Sequence, residues 1–178
     1  MKKSLVLLLA GIVLLGGVLL IPRAGAASAE SSPKILDFDN MIGVPRPYTG
    51  GDNAIRGIPG GGLPWVIASG KGKLTGDGDL EIKVTGLVFD PSDPVVIERG
   101  LAGQNTIPAF RAIVSCLSED EKGDPTTINL TTDPFPATTG LGAGDAKIRA
   151  QLDLPSPCIA PIVFVTSPGG AWFAATGN

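Results

Sequence analysis

The chain has 178 residues, with 14 lysines and arginines against 17 acidic residues and no histidine. The missing histidine excludes Ser-His-Asp and Cys-His catalysis and the ordinary His-ligated zinc and copper sites. Glycine (25) and proline (16) are abundant, yet 43% of the residues are hydrophobic, which excludes wholesale disorder and fits folded, turn-rich β structure.

Met1-Lys2-Lys3 leads into an apolar run from Leu5 to Ile21. Pro22-Arg23 closes the run, and the small residues that follow offer cleavage positions after Ala26 or Ala29. The pattern predicts a signal peptide over residues 1–29. The run also reaches the roughly 17-residue lower limit of a membrane-spanning helix, so a retained N-terminal anchor is the alternative. Either outcome puts the body outside the cytoplasm, secreted or at the cell surface. The membrane is then touched only through this segment, if it stays uncleaved. No cysteine lies near the cleavage positions, so no lipid attachment is expected there. Without Lys2, Lys3 and Arg23, 11 basic residues face 17 acidic ones, a formal charge of −6. The basic residues are scattered singly or in pairs such as Lys71/Lys73 and Lys147/Arg149. No basic cluster is predicted, and nucleic acid is not an expected partner.

Residues 30–64 read as a Pro/Gly-rich extension, broken by Pro33, Pro45, Pro47, Pro59 and Pro64 and loosened by Gly60-Gly61-Gly62. A short strand at Ile35–Phe38 fits within it. The extension is read as a tether, or else as a wrap that buries Ile42, Ile55, Ile58 and Leu63. If the body has a binding surface, residues 46–64 are the first place to expect it, because loops carry function more often than strands.

A domain over residues 65–178 follows. Trp65–Ala68 and Lys73–Thr75 are short strand candidates. Leu80, Ile82 and Val84 alternate with Glu81, Lys83 and Thr85, the period of a half-buried strand. Leu87-Val88-Phe89 is expected to continue it past a bulge at Gly86. Val95-Val96-Ile97 reads as another strand. Phe110, Ala112, Val114 and Cys116 share one face of the next, with apolar residues on the other face too. Thr127–Thr131 has high β propensity. Ala146–Leu154 alternates cleanly, and Ile162–Val165 and Ala171–Ala174 close the series. About eight short strands between Gly/Pro/Asp turns predict an all-β fold, a two-sheet antiparallel sandwich with a small barrel as the alternative. No stretch of the body has a helical period.

Cys116 and Cys158 are the only cysteines. Behind an export leader such a pair reads as one disulfide. Closing a loop of about 43 residues stabilises by about 4 kcal/mol through loop-closure entropy. Cys116 lies in an apolar strand-like run and there is no C-x-x-C, so a structural staple is expected rather than a reactive thiol.

Few motifs carry chemistry. Ser31-Ser32-Pro33-Lys34 matches S-x-x-K only in letter, since it sits in a Pro-broken stretch without companion motifs. Gly140-Leu141-Gly142-Ala143-Gly144-Asp145 fails the dinucleotide-binding pattern at its last position. Asp77, Asp79 and Glu81 alternate, which suits the hard oxygen donors that calcium prefers, but Ile82 stands where an EF-hand loop needs glycine, and a tight turn entering a strand is the simpler reading. Trp65, Trp172, Tyr48 and Phe135 offer a sugar-stacking platform or ordinary core packing.

Three stretches are distinctive: Arg56–Ile67, Phe110–Cys116 and Pro157–Val165. Together they resemble a group of uncharacterised exported bacterial proteins. That resemblance covers most of the body and implies an exported, disulfide-bearing domain, with no activity or cofactor attached. The sequence therefore predicts an exported non-catalytic structural or binding module with an unknown surface partner. The alternatives are a carboxylate-dependent glycoside hydrolase and a calcium-dependent adhesin-like module using Asp77, Asp79 and Glu81.

Overall fold

A computed structural model describes residues 32–176. The predicted leader, residues 1–29, lies outside the described residues. Among the described residues no helix is long and apolar enough to cross a membrane.

The fold is all-β and antiparallel, built on two principal sheets that do not close into a barrel. The first is four-stranded: β1 (Lys34–Phe38), β4 (Ser69–Thr75), β5 (Asp79–Thr85) and β12 (Ala146–Gln151), in the order β1-β4-β5-β12. The second is centred on the long strand β8 (Ala109–Glu119). On one side of β8 lie β13 (Ile159–Thr166), β14 (Trp172–Thr176) and β2 (Met41–Gly43). On the other lie β9 (Pro125–Thr131) and β10 (Phe135–Pro136). Two small ribbons complete the body: β3 (Trp65–Val66) with β6 (Val88–Phe89), and β7 (Gln104–Asn105) with β11 (Gly140–Leu141).

The inner faces of the two sheets share one core. Leu74, Leu80, Ile82, Val84 and Ile148 come from the first sheet, and Phe110, Ala112, Val114, Val163 and Val165 from the second. Trp65 is 2% exposed, with its ring 4.1 Å from Phe173 and 4.2 Å from Phe89. Trp172 is 3% exposed and meets Phe164 edge-on at 6.0 Å. Both tryptophans are thus core residues rather than a sugar platform. Cys116 on β8 is bonded to Cys158 just before β13, with 4.9 Å between their Cα atoms. The disulfide joins neighbouring strands, as a staple does.

Several expectations need correction. Val95-Val96-Ile97 is not a strand but part of α1 (Pro94–Glu98). Its start is set by Asp93, whose carboxylate accepts from the Val95 and Val96 N–H groups, with Pro94 at the first helical turn. Those two signals outweigh β-branched propensity over so short a run. Val88-Phe89 does not continue β5. Gly86 has φ +62, and the chain leaves the sheet there to pair with Trp65-Val66. Among the described residues the expected eight strands become fourteen, because short pairings at residues 41–43, 104–105, 135–136 and 140–141 leave no periodic trace. The strand at Ala146 stops at Gln151, and Leu152 and Leu154 pack half-buried against the core beyond it.

The stretch 30–64 is not a separate tether where it is described. It supplies β1 to the first sheet and β2 to the second. Residues 45–64 then form a strap with three anchors. The Arg46 guanidinium donates to the Asp93 carboxylate at 2.7 and 3.0 Å. The Arg56 guanidinium donates to the Ser115 and Ala160 carbonyls at 2.7 and 2.9 Å. Gly60 bridges to Trp172. Ile58 and Leu63 are buried as the wrapping alternative requires, Ile55 is partly so, and Ile42 is 57% exposed.

Candidate binding face

The outer face of the four-stranded sheet is where charged side chains converge. A strand turns alternate residues to opposite faces. In β5 the burial pattern alternates strictly, with Leu80, Ile82 and Val84 inward and Asp79, Glu81 and Lys83 outward. The hairpin register then decides which outward residues stand side by side. Lys73 pairs with Glu81 and Glu81 with Arg149, while Asp37 pairs with Lys73. This row alternates in sign across all four strands. Lys73 Nζ lies 3.3 Å and Arg149 Nε 3.5 Å from the Glu81 carboxylate.

The neighbouring row has one sign only. Lys71 pairs with Lys83, and Lys83 with Lys147. All three side chains are exposed, and none forms an ion pair among the described residues. A shallow trough of about 450 Å³ runs between the two rows. The expectation that the body has no basic cluster is therefore corrected. Pairs that look scattered in sequence are brought together by strand register.

Their strand context hides the cluster in the sequence. In β4 the inward residues after Ser69 are Gly70, Gly72 and Leu74, and two glycines erase the hydrophobic alternation that marks a strand. The glycines are required by packing. A Cβ on Gly70 would come within 2.5 Å of Met41 Cγ, and one on Gly72 within 2.5 Å of Phe38 Cζ. The signal that remained was the period of two in Lys71/Lys73, Glu81/Lys83 and Lys147/Arg149.

The predicted calcium ligands Asp77, Asp79 and Glu81 line one hollow of about 470 Å³ at the β4–β5 end of the sheet, with Asp77 and Glu81 already engaged elsewhere. Asp77 sits in the β4–β5 turn, where its carboxylate accepts from the Thr75 hydroxyl and its carbonyl from the Gln151 amide. The Thr75 hydrogen bond lowers its pKa. Asp79 opens β5, its N–H donating to Thr75 Oγ1 at 3.1 Å. Glu81 faces two cations instead. Among the described residues no three His, Cys, Asp or Glu side chains gather closely enough to hold a metal. Elsewhere the acidic residues Glu119, Asp120, Glu121 and Asp124 gather at the turn that follows β8, in which the Asp120 carboxylate accepts from the Lys122 and Asp124 N–H groups. Of the S-x-x-K residues, Ser31 lies outside the described residues and Lys34 pairs with Asp37 on β1. The Gly140–Asp145 loop contains β11, with Leu141 exposed.

Tyr48 is exposed on the strap, while Phe135 packs against the core. Two of the strap's glycines serve packing: a Cβ on Gly60 would strike the Tyr48 carbonyl at 1.9 Å and one on Gly61 would meet Phe173 Cδ1 at 2.9 Å, whereas Gly50, Gly51, Gly57 and Gly62 have open space. The loop expected from sequence as a binding surface covers the body through Ile58, Gly60, Gly61, Leu63 and Pro64 and leaves residues 46–48 and 51–54 exposed.

No protein family, no curated protein and no solved structure matches the chain.

Proposed function

We propose that the body is a non-catalytic binding module of the extracytoplasmic space, and that it binds anionic ligands through the outer face of the four-stranded sheet. The lysine row carries this reading. Like charges directly opposite one another across strands destabilise a sheet. Lysines on edge strands guard against sheet-to-sheet aggregation. That role accounts for Lys147 on the edge strand β12. It does not account for Lys71 and Lys83, which sit on the two inner strands. A row kept against its own repulsion fits a surface that a ligand neutralises.

Export enters this reading from the leader and from the resemblance to exported bacterial proteins. The Cys116–Cys158 bond is consistent with an extracellular location. The hydrolase and calcium alternatives gain no observation of their own. Asp77 is tied into a turn and Glu81 lies between two cations. Asp77 and Asp93 both titrate below the ordinary carboxylate range, the opposite direction from a general acid.

Chromatography on an immobilised sulfated polymer at low ionic strength tests the proposal. The protein is retained despite its overall negative charge, and Lys83→Glu abolishes retention. Lys122→Glu makes the same change in net charge in a distant turn and leaves retention intact. Equal loss in both variants, or no retention of the unaltered protein, refutes the reading.

A further inference from the structure

Resting on that reading, we infer that the ligand is a linear polycarboxylate, an acidic polysaccharide of uronic-acid residues lying across the strands along Lys71, Lys83 and Lys147. The first reason is shape. The unpaired positive charge is one residue wide. On one side of it runs the alternating row Asp37–Lys73–Glu81–Arg149. On the other lie Ser69 and Thr85, paired across β4 and β5, with Asp145 beyond, its carboxylate accepting the Gly86 N–H at 2.9 Å. A stripe of this kind fits a chain. A planar anionic membrane would meet Asp37, Asp39 and Glu81 on the same face, and would repel a body of formal charge −6.

The second reason is spacing. Neighbouring strands lie about 4.8 Å apart, so the lysines are set at that interval across the sheet. One pyranose residue of an extended chain has nearly the same length. An extended polyuronate therefore carries one carboxylate per strand interval, and the long lysine side chains reach those that the screw of the chain turns to either side, whereas the phosphodiester chain of a nucleic acid spaces its charges more widely. The third reason is the neighbouring chemistry. The Ser69 and Thr85 hydroxyls make no hydrogen bond within the described residues and stand beside the row, where sugar hydroxyls would lie. No aromatic residue faces outward on β1, β4, β5 or β12, so the stacking platform of a single-strand nucleic-acid binder is missing from this face.

Equilibrium binding with the disulfide intact tests the assignment. The probes are oligogalacturonate, its methyl ester, inorganic polyphosphate, a single-stranded DNA oligonucleotide and vesicles rich in anionic phospholipid. Oligogalacturonate binds best and its neutral ester does not bind. Lys83→Gln weakens binding on the order of fivefold, the usual worth of one ammonium at an anionic surface. Lys83→Glu abolishes binding while raising the melting temperature, a pairing that a purely structural lysine would not give. Tighter binding to polyphosphate, DNA or vesicles overturns the polycarboxylate and leaves the anion-binding face standing. Failure of every polyanion to bind at low salt removes both. Dimerisation at low salt that Lys83→Glu abolishes would assign the row to an acidic loop of a second copy, and would also overturn the inference.

Discussion

The two sheets treat their outer faces in opposite ways. The four-stranded sheet leaves its outer face to water and crowds charge onto it. The six-stranded sheet covers the middle of its outer face and leaves Leu117 of β8 and Thr127, Asn129 and Thr131 of β9 exposed. Ile113, Ser115 and Phe164, which point away from the shared core, are 6%, 0% and 0% exposed. The strap of residues 45–64 lies on that side, fastened to Ser115, Ala160 and Trp172. The difference is visible in the strands themselves. β5 alternates one for one, while β8 and β13 run apolar through both parities. A strand of the first kind announces a free face, and a strand of the second kind announces a cover.

Breaking the covered side costs the most. Replacing both cysteines with alanine removes the bond between β8 and the start of β13, which spans 42 residues of sequence. Loop-closure entropy sets the loss at about 4 kcal/mol, to be read from chemical denaturation. Next comes the strap. Ile58 is 4% exposed, and Ile58→Ala lowers stability by about 3 kcal/mol if the strap is an integral cover. A change within error would make residues 45–64 a tether after all.

A smaller effect tests the strap's first anchor. The Arg46 guanidinium, through its hydrogen bond, is the leading reason that Asp93 titrates at about 2, and backbone N–H groups of α1 act in the same direction. The lowered value means that the ionised carboxylate stabilises the folded state. That contribution is complete above the unfolded value of about 3.9 and is lost as pH falls through about 2. Asp93→Asn therefore melts below the unaltered protein at neutral pH, and the gap closes between pH 4 and pH 2. A gap independent of pH would show that charge plays no part.

The smallest effect has the opposite sign and belongs to the open side. Lys83→Glu turns a row of three like charges into an alternating one. It stabilises by about 0.5 kcal/mol in low salt, and the gain fades as salt rises. A loss of stability would mean that the row is not repulsive.

The all-β fold, the antiparallel sandwich and the disulfide were legible in sequence. Alternation at Leu80–Val84 and Ala146–Ala150 is direct, and the Cys116–Cys158 pairing is the one pairing available. The charged outer face was not legible. Its residues are 12 and 64 positions apart between successive lysines, and only hairpin register brings them together. The strand that would have revealed it carries glycine where apolar side chains normally mark the inner face. The helix at 94–98 was hidden for a different reason. Asp93 and Pro94 act on the backbone at a single terminus, whereas propensity is summed over residues that have little else to decide them.

Gly70 and Gly72 have a consequence for how this face can change over time. They fix β4 by what they leave out, and even a single methyl group at either position meets Met41 or Phe38. Lys71 and Lys73, which alternate with them, turn to the outer face. Mutation can therefore rewrite the charge of the outer surface one strand at a time, so that surface can drift among descendants of this chain while the scaffold stays put.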